Sequence, residues 1–124
     1  MIVDTCFLID LLRAHSGAGE IARQEKHLRT TAISSAEFLL GAKKSGNRNV
    51  YALSEKLIGF FPVLPFDAGS AAVYADIAYA LSQKGRRISS PGELIAAIAL
   101  QHDEPLVTRD RHFAEIDGLE IIPY

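Results

Sequence analysis

Four acidic residues stand where the sequence pattern places the end of a strand or the first turn of a helix. Asp4 closes the first apolar run, and Asp110 follows another short apolar run by two residues. Glu37 and Glu93 each fall at the start of an apolar helical stretch. Ligands of open α/β sheets collect at the carboxyl ends of the strands. We therefore expect these four carboxylates to converge, provided that their loops share one edge of the sheet.

Such a cluster of carboxylates would have a defined chemistry. Crowded carboxylates repel one another, and some stay protonated unless a cation lies among them. Mg²⁺ and Mn²⁺ prefer oxygen ligands, and an ion of this kind polarises a phosphate and lowers the pKa of a bound water. The four acids therefore predict metal-assisted phosphodiester hydrolysis. Acids also cap helices in any α/β protein, so a purely structural role stays open for each, above all for Glu93.

The elements that must position these acids alternate along the chain. Short apolar runs alternate with amphipathic helical stretches, which predicts βαβ units, a mostly parallel sheet of four or five strands, and helices on both faces. We expect one such domain over residues 1–124. The strands are predicted at residues 1–3, 30–33, 60–64, 106–108 and 119–122.

Capping signals indicate where several helices begin. Ser34 precedes Glu37 by three residues, which is the capping-box spacing and predicts a helix start after the second strand. Ser90, Pro91 and Glu93 stand in the order expected for N-cap, N1 and N3 of a later helix. A further N-cap and a further helix stop are predicted at Asp67 and Gly85.

Composition narrows the class of protein. The 124 residues are 48% hydrophobic and 23% charged, which is typical of one globular domain. The net charge of −2 means that any contact with nucleic acid must come from a local basic patch. The single cysteine, Cys6, and the lack of a signal peptide or a long apolar run predict a cytoplasmic protein. The basic residues that could form a patch are Lys43, Lys44, Arg48, Lys84, Arg86, Arg87, Arg109 and Arg111.

Four blocks of sequence resemble VapC-type PIN domains. They occur in the family's order and cover the whole chain: MIVDTCFLIDLL at 1–12, SSAEFLLG at 34–41, LIAAIAL at 94–100 and LVTRDRHF at 106–113. The resemblance implies a PIN-like three-layer sandwich and a Mg²⁺- or Mn²⁺-dependent endoribonuclease. It also implies the toxin role in a VapBC-type toxin–antitoxin system, with RNA as substrate, a VapB-type antitoxin as partner, and a homodimer.

The resemblance assigns roles to individual residues. Asp4, Glu37 and Asp110 match the first, second and fourth acidic positions of the family and are expected to be catalytic metal ligands. Thr5 and Thr108 match hydroxyl residues that commonly stand beside those acids.

This chain departs from the family's pattern at the third acidic position. Gly92 stands where the family usually has an aspartate, and the neighbouring acid is Glu93. One residue along a helix is a rotation of about 100°. Glu93 is therefore expected either to reach the metal with its longer side chain or to cap the helix. The alternative to an active ribonuclease is a catalytically weakened PIN module that binds antitoxin or RNA without efficient cleavage.

Other interpretations of the same acids fit less well. A receiver-type phosphoacceptor needs an aspartate at the end of the third strand, where Leu64 and Pro65 stand. A dehalogenase-like phosphatase needs a second aspartate two residues after Asp4, and Cys6 stands there. Asp10 is expected to be solvated or to cap a helix. Two apolar stripes are expected either to form an antitoxin groove or to belong to the core: Phe7, Leu8, Leu11 and Leu12, and Phe38, Leu39 and Leu40.

Overall fold

Five short parallel strands form the centre of the computed structural model, which describes all residues from 1 to 124. The strand order is β1-β4-β5 in one sheet, and β2 and β3 pair in a second sheet. A parallel bridge between Ile2 and Arg29 joins the two sheets. The predicted parallel α/β architecture is confirmed, although the five strands divide into a three-stranded and a two-stranded sheet. Their bounds are β1 Ile2–Val3, β2 Thr30–Thr31, β3 Val63–Leu64, β4 Leu106–Val107 and β5 Ile121–Ile122.

Six helices and one 3-10 helix surround the strands. The predicted cap Asp67 and stop Gly85 are confirmed, since Asp67 accepts a hydrogen bond from the Ser70 amide and Gly85 has a φ of 65°. No helix is both long enough and apolar enough to cross a lipid bilayer. The bounds are α1 Thr5–Leu12, α2 Ser16–Gln24, α3 Ala32–Lys44, α4 Arg48–Ile58, α5 Ala68–Lys84, α6 Ser90–Gln101 and the 3-10 helix Arg111–Glu115.

Two helix starts differ from the sequence prediction. Helix α3 begins directly after β2, because Thr31 accepts the Ser34 amide at 3.0 Å and acts as N-cap. Glu37 therefore lies in the second turn of α3 and takes no part in a capping box. The N-cap of α6 is Ser89 rather than Ser90, because Ser89 Oγ accepts the Gly92 amide at 3.2 Å. Two adjacent serines offer the same capping group, and the sequence does not distinguish them.

The core lies on both faces of the sheet. Ile2 and Leu106 belong to a cluster with α5 and α6, whereas Val3 and Val107 belong to a cluster with α1 and α3. Successive strand residues point to opposite faces, so this division follows from the strand geometry. The predicted three-layer arrangement is therefore present. Of the stripes considered for an antitoxin groove, Phe7, Leu8 and Phe38 are buried in the core, and Phe38 and Leu12 also line a groove between α1, α3 and α4.

Candidate active site

Asp4 occupies the point where β1 becomes α1. Its backbone is extended, and its Oδ1 accepts the Phe7 amide at 2.9 Å, so the carboxylate is the N-cap of α1. Its Oδ2 accepts a hydrogen bond of 2.5 Å from the Thr108 hydroxyl. The residue is only 2% exposed. Both carboxylate oxygens are therefore held in place by groups on two adjacent elements.

Thr108 links Asp4 to Asp110. β1 and β4 are parallel and in register, so the residue that follows β4 lies beside the residue that follows β1. The Thr108 hydroxyl donates to Asp4 and accepts the Asp110 amide at 3.0 Å. Asp110 then caps the 3-10 helix, since its Oδ1 accepts the His112 amide at 2.9 Å. One threonine hydroxyl thus joins two of the acids expected from the sequence.

Thr5 brings Glu37 to the same region. The Thr5 hydroxyl donates to Glu37 Oε1 at 2.6 Å, which connects α3 to the residue directly after Asp4. Glu37 is exposed, so its carboxylate can reorient. The structure therefore places Asp4, Glu37 and Asp110 in one neighbourhood, connected through the two threonines.

Burial and neighbouring charges act together on Asp4. Burial raises the pKa of Asp4 to about 6, the bonds from Thr108 and Phe7 oppose this rise, and the negative charges of Asp110 and Asp10 add to it. Burial also raises the pKa of Cys6 to about 11. The Cys6 thiol is thus protonated and unreactive at neutral pH, whereas Asp4 is a carboxylate that a nearby cation would stabilise.

The donor atoms of this neighbourhood suit a hard divalent cation. They are carboxylate oxygens, which Mg²⁺ and Mn²⁺ prefer. The side chains are not grouped as a ready metal site, since no three His, Cys, Asp or Glu side chains lie close enough together. Glu37 is held by Thr5, and Asp110 by His112. Both acids are at least partly exposed, so the protein does not enclose their carboxylates on all sides.

Glu93 is paired with Arg87. Its side chain is completely buried, and Arg87 binds it through two hydrogen bonds of 2.6 and 2.7 Å. This pair satisfies both Glu93 oxygens, so Glu93 as a metal ligand stays a prediction. A Cβ at Gly92 would lie 3.0 Å from Ser89 Oγ and 3.2 Å from Ile88 Cδ1. An aspartate there would require these side chains to shift by a few tenths of an ångström.

Asp10 is a residue whose role the sequence prediction missed. It is buried rather than solvated, and its carboxylate accepts hydrogen bonds from Arg109 at 2.6 and 3.2 Å and from the Tyr124 hydroxyl at 2.7 Å. Burial raises the pKa of Asp10, but the bonds from Tyr124 and Arg109 outweigh it and hold the pKa below its usual value. An acid inside the apolar helical run FLIDLL was the available signal.

Similar proteins are known for nearly the whole length of this chain. The family model of the PIN domain matches residues 1–119. Ribonuclease VapC1 of Rickettsia felis is 30% identical in an alignment that covers 98% of this chain and 94% of that protein. Ribonuclease VapC5 of Mycobacterium tuberculosis is 28% identical over 72% of this chain and 68% of its own length.

A solved structure shows the same fold. The DNA-bound VapBC structure from Salmonella typhimurium has a TM-score of 0.90 at 24% identity, covering 98% of this chain and 96% of the matched chain. The resemblance seen in the sequence blocks is thereby confirmed over nearly the whole length. The chain belongs to the PIN domain family, among its VapC-type members.

Proposed function

We propose that this VapC-type PIN ribonuclease cleaves RNA with Asp4, Glu37 and Asp110 as the ligands of one divalent cation, Mg²⁺ or Mn²⁺. The observation that supports the proposal is a pair of threonine contacts: Thr108 binds both Asp4 and the Asp110 amide, and Thr5, the residue after Asp4, binds Glu37. The relatives named as ribonucleases support the reaction class. Location in the cytoplasm and assembly as a homodimer stay predictions.

The residues of the chain have distinct tasks in this proposal. A bound divalent cation supplies Lewis acidity, which polarises the RNA phosphate and lowers the pKa of an attacking water. Thr108 donates to Asp4 and favours its ionised form, which is the form that binds metal. Thr5 orients the exposed Glu37 in the same way. Hydrolysis by water needs no covalent enzyme intermediate.

The alternative of a catalytically weakened module is not favoured. It rested on Gly92, but the two curated relatives are named ribonucleases, and the threonine contacts of Asp4, Glu37 and Asp110 do not involve that position. Glu93 would have to exchange its ion pair with Arg87 for a metal ion in order to act as a fourth ligand.

The toxin role requires a partner, and we propose a VapB-type antitoxin. Several of the similar solved structures are VapBC complexes, two of them bound to DNA. A groove of about 480 Å³ runs between α1, α3 and α4 and includes Glu37 at one point. Leu53, 56% exposed, is part of its apolar lining. An apolar antitoxin segment in this groove would reach the proposed active site and block it.

Cleavage of a defined RNA panel tests the proposed function. We expect cleavage with Mg²⁺ or Mn²⁺, none in EDTA, and a loss of at least about a hundredfold in Asp4→Asn, because the buried ligand loses its charge. Asp117→Asn is the matched control, since Asp117 is exposed and pairs with Lys84. Cleavage that persists both in EDTA and in Asp4→Asn would contradict the proposal.

A further inference from the structure

A second cavity adjoins the proposed active site on the side of Asp110. It measures about 530 Å³ and is open to solvent. Thr108 and Asp110 form its border with the acids described above. Its other lining residues are two arginines, an apolar floor and one tyrosine: Arg109 and Arg111, Ala114, Ile121 and Pro123, and Tyr124.

Arg109 is fixed in this cavity by a buried partner. Asp10 accepts from its Nε and Nη2, whereas its Nη1 makes no hydrogen bond. The Asp10 side chain is 6% exposed and the Arg109 side chain 53% exposed, so the carboxylate lies behind the guanidinium. Tyr124 donates to the same carboxylate and completes the support. A guanidinium held in this way can bind an anion through its free nitrogen with little loss of side-chain entropy.

Arg111 is the second guanidinium of the cavity. It is exposed and makes no ion pair or side-chain hydrogen bond. Arg109 is paired with Asp10 and Asp110 also lines the cavity, so Arg111 is the cation whose donors remain free to bind an anion. Arginine is well suited to phosphate because its planar donors match phosphate oxygens.

The floor of the cavity differs from its arginine side. Ala114, Ile121 and Pro123 offer an apolar surface next to the phenol of Tyr124. A nucleotide combines both characters, since its base is flat and apolar on its faces and its phosphate is anionic. Base faces are free to contact protein in single-stranded RNA, whereas they are stacked inside a duplex.

We propose that this cavity is a nucleotide subsite for single-stranded RNA, in which Arg109 and Arg111 bind the phosphate next to the scissile one and the apolar floor receives its base. Asp10 and Tyr124 are positioning residues, because they act through Arg109. The proposal rests on the proposed function, since it takes RNA as the substrate of the adjacent acids.

Binding of a short, fluorescently labelled single-stranded RNA in EDTA at low salt tests the subsite without cleavage. We expect Arg111→Ala to bind about five- to tenfold more weakly, because the variant cannot form one charged interaction with phosphate. The slope of log affinity against log salt should fall by about 0.7 for each phosphate interaction that a variant removes. Arg86→Ala is the control, since Arg86 is exposed and pairs with Glu115 outside the cavity.

The role of Arg109 must be tested with a variant that does not leave a buried charge unpaired. Arg109→Ala alone would leave the buried Asp10 carboxylate without its cation, so the double variant Arg109→Ala/Asp10→Asn removes both charges. We expect it to bind RNA as weakly as Arg111→Ala. Tyr124→Phe tests the positioning role: in the cleavage reaction it should raise KM severalfold and leave kcat unchanged, a split that general destabilisation would not produce.

The outcomes separate the subsite from the proposed function. If Arg111→Ala and the double variant bind RNA within twofold of the wild type, or if the wild type binds no RNA, the subsite is refuted, whatever the cleavage assay shows. If both variants lose affinity as expected while no metal ion supports cleavage, the subsite stands and the proposed function fails.

Discussion

Substitution of Thr108 tests whether its hydroxyl stabilises the arrangement of Asp4 and Asp110. Thr108→Val keeps the shape of the side chain and removes its hydroxyl. Two hydrogen bonds disappear: the bond of 2.5 Å to Asp4 and the bond of 3.0 Å from the Asp110 amide. Asp4 is buried and no water is expected to replace the missing donor, whereas Asp110 is partly exposed and its amide is more easily rehydrated.

The expected loss of stability follows from these two bonds. A hydrogen bond to a charged group contributes about 1.5–3 kcal/mol, and a neutral one that water can replace contributes about 0.5 kcal/mol or less. We therefore expect Thr108→Val to lower the free energy of unfolding by about 2–3 kcal/mol at pH 8 without divalent cations. For a domain of this size that corresponds to a fall in Tm of about 6–12 °C.

Urea and thermal unfolding at two pH values check this magnitude. At pH 5, below the pKa of about 6, Asp4 is mostly protonated and the loss should be smaller than at pH 8. Thr108→Ser is the control, because it keeps the hydroxyl and both hydrogen bonds. Equal stability of Thr108→Val and the wild type, or an equal loss in Thr108→Ser, would show that the Thr108 hydroxyl does not stabilise the site.

Three further predictions concern other charged groups. Folding raises the pKa of Asp4 from 3.8 to about 6, so the fold favours the protonated acid. The metal-free wild type should therefore lose about 2 kcal/mol of stability relative to Asp4→Asn between pH 4 and pH 7, and parallel unfolding curves would contradict this. Burial raises the pKa of Glu104, but the hydrogen bonds and charges of Arg29 and the N-terminal amine together outweigh it and lower that pKa, so the stabilisation is present at neutral pH and lost on acidification. The free energy of unfolding of Glu104→Gln should therefore depend less on pH in the acid range than that of the wild type. Equal slopes in the two proteins would show that the ion pair between Arg29 and Glu104 does not stabilise the fold. Glu93→Gln should destabilise the fold, because it weakens the ion pair with Arg87. It should leave the Mn²⁺ dissociation constant unchanged, and a clear rise in that constant would instead identify Glu93 as a ligand.

The sequence predicted the architecture well because the spacing of apolar residues and the residues that mark helix ends are local signals. The alternation of apolar runs and helices led to the parallel α/β fold, and Asp67 and Gly85 mark helix ends through their own backbone and side-chain preferences. The strand bounds were predicted too long at Ile33 and Phe60. Ile33 belongs to α3, and the Phe60 amide donates to the Leu57 carbonyl of α4. In both cases hydrogen bonds of a neighbouring helix outweigh the strand propensity of the residue.

The partners of the acids were harder to predict because they are distant in the sequence. Asp10 and Tyr124 are separated by 114 residues, and only the fold shows that they meet. The pair between Arg87 and Glu93 is closer in sequence, but its complete burial on the Glu93 side depends on how α6 packs. Thr5 and Thr108 stood beside the expected acids, and the structure adds which acid each hydroxyl contacts.

An anomalous-difference map of crystals soaked in Mn²⁺ would show which carboxylates bind the cation. We expect one strong peak about 2.0–2.4 Å from carboxylate oxygens of Asp4, Glu37 and Asp110, with Glu37 and Asp110 rotated away from their present partners. A peak elsewhere, or no peak at these three acids at saturating Mn²⁺, would contradict it.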